Sequence, residues 1–509
     1  MLITFLLIVG LVILATAVLS IADNLIQIEA KKSGLDTSNQ NFSLFPSLQK
    51  MFNPKTPSFA EKDRFHKLTK GHDILMVGGA SGAPSTGKVN RFAVQPTNYR
   101  GIAPIPKMLV AEGDEVKAGD ALFYDKPNPD IKYTSPVSGE VVEIKRGEKR
   151  AITEVIILAD KDQKYKSFDM PSLDADRDQI ITAMKESGSW VALNSRPFDV
   201  VADSDVVPRD IFISGFDTGP LSPETNVAVE GNIDNLQKGV DVLNSLTDGK
   251  VYLSLDGSNN NEALGSISGA EKHWFKGPHP AGNVGVQIHH IHPIGLKDTV
   301  WTVQLQDVIN ISKLFLAGKY DQRRVVAVAG GGLKNPKYIE TKVGANISEL
   351  IDGDLVDPHC RIISGDVLSG ETKTAEQFVN AKDDQITVIP EGDKYEMFGW
   401  LLPLSLRPSI SKTFPNFLFP NHKFNPDTNT HGEGRAFVMT GQYESMLPMN
   451  IYPQHLMKAV VTNDYERMEG LGINELSEED IALCEFACTS KQPLQSILRE
   501  GLEMMREQL

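Results

Sequence analysis

Three groups of residues in this chain have side chains suited to chemistry. The first is Gly82–Val89, GAPSTGKV, preceded by the apolar run DILMVGG. A phosphate loop needs glycine-freed backbone amides, a lysine, and then a Ser or Thr hydroxyl for Mg²⁺. Position 89 is valine, and the run opens a β-rich region rather than a strand-to-helix unit. It reads as a glycine-rich loop. The second group is His279 in FKGPHPAG with His289, His290 and His292 in VQIHHIHP. On a strand, His290 and His292 share a face. A zinc site asks for further nitrogen, sulfur or carboxylate ligands, and no carboxylate or cysteine stands nearby in sequence. No metal is assigned, and PHPAG reads as a turn packed near a ligand or a subunit boundary. The third group is Cys484 and Cys488, one helical turn apart, with Cys360 distant. Iron–sulfur clusters take four cysteines, commonly as C-x₂-C-x₂-C-x₃-C-P. Only the C-x₃-C is matched, and residue 489 is threonine, so the pair reads as two buried helical thiols.

The elements that must position these residues begin with an unusual end. The first 22 residues, MLITFLLIVGLVILATAVLSIA, carry no charged side chain. As a helix rising 1.5 Å per residue, such a run is long enough for the ~30 Å apolar core of a bilayer. A signal peptide needs a basic flank and a shorter apolar stretch, and a core helix keeps a polar face. The run therefore predicts a transmembrane anchor over 1–23, with lipid contact through residues 2–22. Lys31 and Lys32 are the first basic residues after it. By the positive-inside tendency they put the N-terminus outside and the body in the cytoplasm. A net charge of −15 and a pI near 5.3 argue against nucleic acid as a partner and against broad adhesion to anionic lipid. Three cysteines in 509 residues fit a reducing compartment.

Beyond the anchor, 24–65 is rich in Ser, Asn, Pro and Lys and reads as a flexible linker. From 66 to 160, short strands alternate with Gly and Pro turns. Two similar halves, MLVAEGDEVKAGDALFYDK and YTSPVSGEVVEIKRGEKR, predict a lipoyl-like barrel-sandwich hybrid. Carriers of that fold bear a modified lysine on a tight hairpin. Lys126 lies near that place, but Pro127 and Pro129 make a different turn, and it reads as solvent-facing. Residues 161–330 alternate strand and helix patterns, as a Rossmann-like α/β domain with a mainly parallel sheet. The last such pair is QDVINISKLFLAG and RRVVAVAGGG. Residues 331–390 predict a β-grasp, SLBB-like unit, 391–445 an extended β/loop connection, and 446–509 a helical C-terminal domain. Ser477 and Asp480 have capping-box spacing, and Pro493 opens a final amphipathic helix. The fold class is thus α/β multidomain.

Several of these segments, in order, resemble one family: KMLVAEGDEVKAGDALFYDKPNPDIKYTSPVSGEVVEIKRGEKRA, FKGPHPAG, QDVINISKLFLAG, RIISGDVLSG, FGWLLP and LSEEDIALCEFAC. The chain from about 66 to its end is similar to the A subunit of the sodium-translocating NADH:quinone oxidoreductases. That family is related to the flavin-carrying subunit of respiratory complex I and to the C subunit of the Rnf complex. In those relatives a G-x-G-G-A-x-F-P loop lets backbone amides approach flavin phosphate. Here the corresponding Gly188–Phe198 reads GSWVALNSRPF, with Trp190, Val191 and Leu193 in place of glycines. An acidic turn of the relatives is FDTGP here, keeping Asp217 and replacing the second acid by Gly219. Residues 1–60 are an addition to the family pattern.

The resemblance implies a cofactor-free, cytoplasmic-side subunit of a bacterial inner-membrane complex that reduces quinone with NADH and exports Na⁺. It implies no catalytic, cofactor or metal residues in this chain; flavins and iron–sulfur centres would lie in partner subunits. His279, Pro280, Gly282 and Asn283 are the candidates for contact with quinone or with another subunit. Two alternatives are an Rnf-like electron carrier and a non-redox adaptor.

Overall fold

The computed structural model describes residues 2–32, 56–173, 175–295, 297–396, 406–410, 415–437 and 441–508. Its N-terminal element is one helix, Leu2–Lys32. The helix does not stop at the end of the uncharged run but continues through Asp23, Glu29 and Lys31. Leu11, Leu14 and Ile21 are exposed on it. Among the described residues no helix is long and apolar enough to cross a membrane. The expected spanning anchor over 1–23 thus gains no support, and the N-terminus-outside orientation that depended on it goes with it. Residues 33–55 of the expected linker lie outside the described residues.

The barrel-sandwich hybrid is present as two small facing sheets. One joins Arg91–Val94, Ile152–Ala159, Gly139–Arg146 and Glu115–Val116; the other joins Lys107–Met108, Ala121–Tyr124 and Lys132–Thr134. Gly139 is required where these strands cross. At φ 156° a Cβ there would sit 1.9 Å from the Leu158 carbonyl oxygen. Lys126 is exposed, as its flanking prolines suggested.

The α/β domain carries a seven-stranded sheet in the order Phe65–Lys67, Glu271–Lys276, Val251–Asp256, Ile211–Ser214, Val300–Thr302, Asn194–Arg196, Val200–Val201. The first five strands run parallel. The edge strand Phe65–Lys67 comes from ahead of the barrel-sandwich, so the 66–160 boundary divides the chain but not the structure. The helices Ile233–Asn244 and Leu305–Ala317 pack closely because Gly239 faces Val308. Leu236, Val240, Leu243, Val308 and Ile311 are fully buried there.

Two expectations are corrected at the next boundary. Arg323–Ala329, RRVVAVA, does not extend the parallel sheet. It pairs antiparallel with Lys337–Lys342, which follows only a short turn later, and so belongs to a six-stranded sheet with the β-grasp residues. The order there is Glu371–Lys373, Cys360–Ser364, Gln385–Pro390, Arg323–Ala329, Lys337–Lys342, Ser81–Thr86. The last strand, Ser81–Thr86, takes up most of the glycine-rich run GAPSTGKV as an exposed parallel edge rather than a loop before a helix. A strand there leaves no ring of amides for a phosphate.

Residues 391–437 contain no strand among those described; their regular structure is a 3₁₀ turn, Pro415–Leu418, and an isolated parallel bridge from Phe424 to Met76. The helical C-terminal domain runs from Gln442–Met446 to Leu494–Glu507. The Ser477–Asp480 capping box forms as its spacing required. Leu494, Leu498 and Leu502 of the last helix are fully buried.

Candidate functional site

The units meet around a cavity of about 500 Å³. One wall is the chain segment after the helix Arg177–Ser187. That helix ends at Gly188 in the left-handed region, φ 79°, where a Cβ would sit 2.5 Å from Thr134 Oγ1. Trp190 follows, completely buried. Its indole N–H donates to the Ala202 carbonyl at 2.8 Å, and its ring meets Trp301 edge-on at 5.2 Å. The segment is thus filled by a large side chain where a glycine loop would leave backbone open. Lys382 crosses the same place, donating to the Val191 and Ala192 carbonyls at 3.0 and 2.9 Å. Ala192 and Lys382 both line the cavity, so this wall turns carbonyl oxygens, not amides, toward the lysine.

Beyond it lies Arg196, 2% exposed. It faces Asp199 at 3.5 Å, Glu479 at 3.1 Å and Asp480 at 3.5 Å. Burial works to raise the Asp199 carboxyl, but Arg196 and then Arg100 hold it below the usual carboxylate range. Arg100 also pairs with Glu478 at 2.9 Å, and Arg499 grips the same Glu478 at 2.7 Å. These ion pairs bind the N-terminus of the helix Glu478–Ala487 to the α/β domain and to Arg100 of the barrel-sandwich region. A buried arginine is tolerable only because carboxylates surround it.

The opposite wall is acidic. Asp217 accepts the Gly219 amide at 2.8 Å. Asp217 is exposed at the cavity edge, where loss of surrounding water and then neighbouring Asp366 hold its carboxyl above the usual range. Asp383, held by Ser364 Oγ at 2.6 Å and Asn380 Nδ2 at 3.0 Å, is raised by the same two causes. Asp384 is pushed up to about 7, by burial first and then by Asp217. Arg100 and Arg196 are engaged in ion pairs and Lys382 on the Val191 and Ala192 carbonyls, while Asp217, Asp383 and Asp384 line the cavity. Such a site repels phosphates and accommodates a neutral polar group.

Of the sequence candidates, Gly282 and Asn283 line the cavity, and His279 and Pro280 do not. Gly282 approaches the Asp217–Thr218 backbone so closely that a Cβ would lie 2.6 Å from the Thr218 nitrogen. Its amide donates to Thr218 Oγ1 at 2.9 Å. Asn283 Nδ2 donates to the Glu479 carbonyl at 2.9 Å, joining this turn to the helical domain. His279 is buried behind the turn, Nδ1 3.2 Å from Thr218 Oγ1 and its amide on Asp73 Oδ1 at 2.8 Å. Sequence reasoning missed Arg100, Arg196, Glu478 and Asp384 as wall residues. The capping-box pair Ser477 and Asp480, beside Glu478, was the one local signal, and nothing pointed to what that helix end faces.

The remaining histidines correct another expectation. Residues 284–291 form a helix, Val284–Ile291, not a strand, because Asn283 and Pro293 bound a helical stretch. His289 Nδ1 contacts Glu475 at 2.6 Å and His290 Nε2 the Pro448 carbonyl at 2.7 Å. Among the described residues no group of three or more His, Cys, Asp or Glu could hold a metal ion. Cys484 and Cys488 are buried, and Cys488 Sγ lies 2.7 Å from the Tyr443 hydroxyl.

Family models match three parts of the chain: the NqrA N-terminal barrel-sandwich hybrid domain over residues 66–160, the NqrA second alpha/beta domain over 175–320, and the NQRA C-terminal domain over 325–375. The chain is 37% identical over 448 residues to the A subunit of the Na(+)-translocating NADH-quinone reductase of Vibrio atlanticus, covering 87% of this chain and 99% of the relative. It is 35% identical over 446 residues to that of Vibrio alginolyticus, covering 87% and 99%. It is 37% identical over 446 residues to that of Alcanivorax borkumensis, covering 86% and 98%. An NAD+-reducing [NiFe]-hydrogenase chain in the air-oxidized state aligns with 43% of this chain and 48% of its own at 13% identity. Its TM-score of 0.31 is too low to bear on fold or function.

Proposed function

The chain belongs to the NqrA family, the A subunits of the Na(+)-translocating NADH-quinone reductases, and from that premise we propose that it serves as one subunit of such an enzyme. In this reading it supports quinone reduction coupled to Na⁺ export on the cytoplasmic side of a bacterial inner membrane, and it carries no electrons itself. The observation that carries the last point is the filled 188–198 segment. Trp190 occupies the space of a phosphate-binding loop, and the facing acids Asp217 and Asp384 oppose a phosphate-bearing cofactor. Flavins and iron–sulfur centres are assigned to partner subunits.

Two measurements test the proposal. An enzyme lacking this chain should lose quinone reduction while still oxidising NADH with an artificial acceptor; unchanged quinone reduction overturns the role. The purified chain should show no flavin or iron–sulfur absorbance, whereas a visible spectrum would favour the Rnf-like electron carrier. Contact with a quinone headgroup is proposed for the turn at Gly282 and Asn283, since the cavity suits a neutral polar group. A photoreactive quinone should then label the peptide that carries them, and labelling confined to other subunits removes that assignment.

A further inference from the structure

Three acids line one side of the cavity, and they differ in their partners. Asp217 accepts the Gly219 amide, and Asp383 is held by Ser364 and Asn380. Asp384 stands just ahead of the strand Gln385–Pro390, its backbone fixed where its carbonyl accepts the Ala327 amide at 2.8 Å. Its carboxyl has no hydrogen bond or ion pair among the described residues. The charged groups that face it are Asp217, Asp383 and Arg324, with the buried Tyr338 also in range. Arg324 is already bound to Asp307 at 2.9 Å and to the Ala381 carbonyl at 3.0 Å.

Two hydrogen bonds bring this acid to the turn proposed for a quinone headgroup. Gln385 Nε2, one residue on, donates to the Pro220 carbonyl at 3.0 Å. The Gly282 amide donates to Thr218 Oγ1 at 2.9 Å. Thr218 and Pro220 belong to one turn, 216–220, so Asp217, Asp384, Gly282 and Asn283 gather around it, and all four line the cavity. Asn283 is fastened in turn to Glu479, which Arg196 holds. Arg196 lines the same cavity, and its buried Nε and Nη1 have no hydrogen-bond acceptor. Buried donors rarely go without one, and a ligand's carbonyl oxygen would supply it. An acid kept beside like charges costs stability at neutral pH, and such groups concentrate where chemistry is done.

We infer that Asp384 is the proton donor to a quinone oxygen in this cavity, an inference that rests on the quinone contact proposed above for Gly282 and Asn283. In this step the quinone takes up two electrons that NADH supplies through the partner subunits. The Asp384 O–H bond breaks, its proton forms an O–H bond on the reduced oxygen, and a carboxylate remains. A second proton, from water at the exposed edge beside Asp217, completes the quinol, and water then reprotonates Asp384. Asp217 is a positioning residue: its repulsion helps to keep the proton on Asp384 at neutral pH.

The test uses the assembled reductase. Asp384→Asn should lower quinone reduction at pH 7 by about ten-fold or more, as loss of a general acid does, while NADH oxidation by an artificial acceptor stays within about two-fold of wild type. Asp384→Glu, which keeps an acid in place, should restore most of the loss. Wild-type quinone reduction should fall as pH rises through about 7. Asp217→Asn should move that fall to lower pH, because the repulsion that raises Asp384 is gone; a merely structural role moves no pH limb. Wild-type turnover and pH profile in Asp384→Asn, with a photoreactive quinone still labelling the peptide that carries Gly282 and Asn283, overturn the inference and leave the contact reading intact. Labelling confined to other subunits overturns both. If Asp384→Asn fails to assemble, Asp217→Asn decides, and a pH limb that stays in place overturns the inference.

Discussion

Arg196 shows how one residue organises the cavity. Its guanidinium is almost wholly buried and lies among Asp199, Glu479 and Asp480. Removing the cation strips the fully buried Asp480 of its ion pair, while Asp199 keeps Arg100 and Glu479 reaches solvent; breaking a buried pair costs about 3–5 kcal/mol in comparable networks. Arg196→Met should therefore lower the urea midpoint by that equivalent; a loss under about 1 kcal/mol would mean the acids find other partners. Asp384 gives a pH signature of opposite sense to an ordinary salt-bridged acid. Its carboxyl is raised to about 7, with Asp217 and Asp383 opposing ionisation and Arg324 favouring it. The folded chain keeps a proton that the unfolded chain releases above its ordinary range near 3.8. Stability is therefore present at low pH and lost as pH rises through about 7. Asp384→Asn should be more stable than wild type at pH 8 by about 1 kcal/mol in chemical denaturation, and equal to it near pH 4. Equal denaturation at both pH values would show that Asp384 titrates normally.

At the scale of elements, close approach is set by glycines that no helix pattern singles out. Gly239 lies in the helix Ile233–Asn244 against Leu305–Ala317, and a Cβ there would stand 2.5 Å from both Val308 Cγ1 and the Val308 carbonyl oxygen. Alanine favours a helix over glycine by about 1 kcal/mol, yet here it must force the helices apart. Gly239→Ala should destabilise the chain by about 1–3 kcal/mol in chemical denaturation, as overpacked cores do. A gain in stability would show that the two helices shift without cost. The same scale explains the histidine correction. VQIHHIHP is too short to distinguish a strand from a helix by pattern, and Asn283 at its head and contacts to Pro448 and Glu475 favour the helix.

At the scale of the whole molecule, distant pieces of chain close over one another. The edge strand Phe65–Lys67 joins the sheet through His66, whose Nε2 lies 3.0 Å from His273 Nδ1 and whose ring stacks on Phe275 at 4.5 Å. His290, from the helix that touches the C-terminal domain, lies 6.1 Å from the same ring. Burial lowers His66 to about 3, with His290 and His273 adding to it. It lowers His290 to about 4, with His289 and Lys70 also opposing the charged form and the Pro448 carbonyl and Glu475 supporting it. His273 is lowered too, though Glu271 supports its charged form. The unfolded chain takes up these protons below about 6.5 and the folded chain resists them. Stability is therefore full above that pH and falls as pH drops toward 4. His66→Phe should flatten the fall in melting temperature between pH 6.5 and 4.5 while leaving the pH 8 value within ~2 °C. An unchanged slope would remove this cluster as its cause.

The legible parts of the protein are those with local causes. The Ser477 capping box, the buried face of Leu494, Leu498 and Leu502, the alternating turns of the barrel-sandwich and the βαβ rhythm all follow from residues a few positions apart. The degraded loop at 188–198 was legible as well, since Trp190 in place of a glycine closes backbone access whatever surrounds it. Only the tertiary structure decided where strands without a nearby partner would go. Ser81–Thr86 and Phe65–Lys67 pair with strands roughly 200 or more residues away, and Arg323–Ala329 left one sheet for another because its antiparallel neighbour came next in the chain. The cavity was hidden for the same reason. Arg100, Arg196, Asp384 and Glu478 are ordinary charged residues in sequence, and their roles arise from burial and from charges on other elements, which periodicity does not encode.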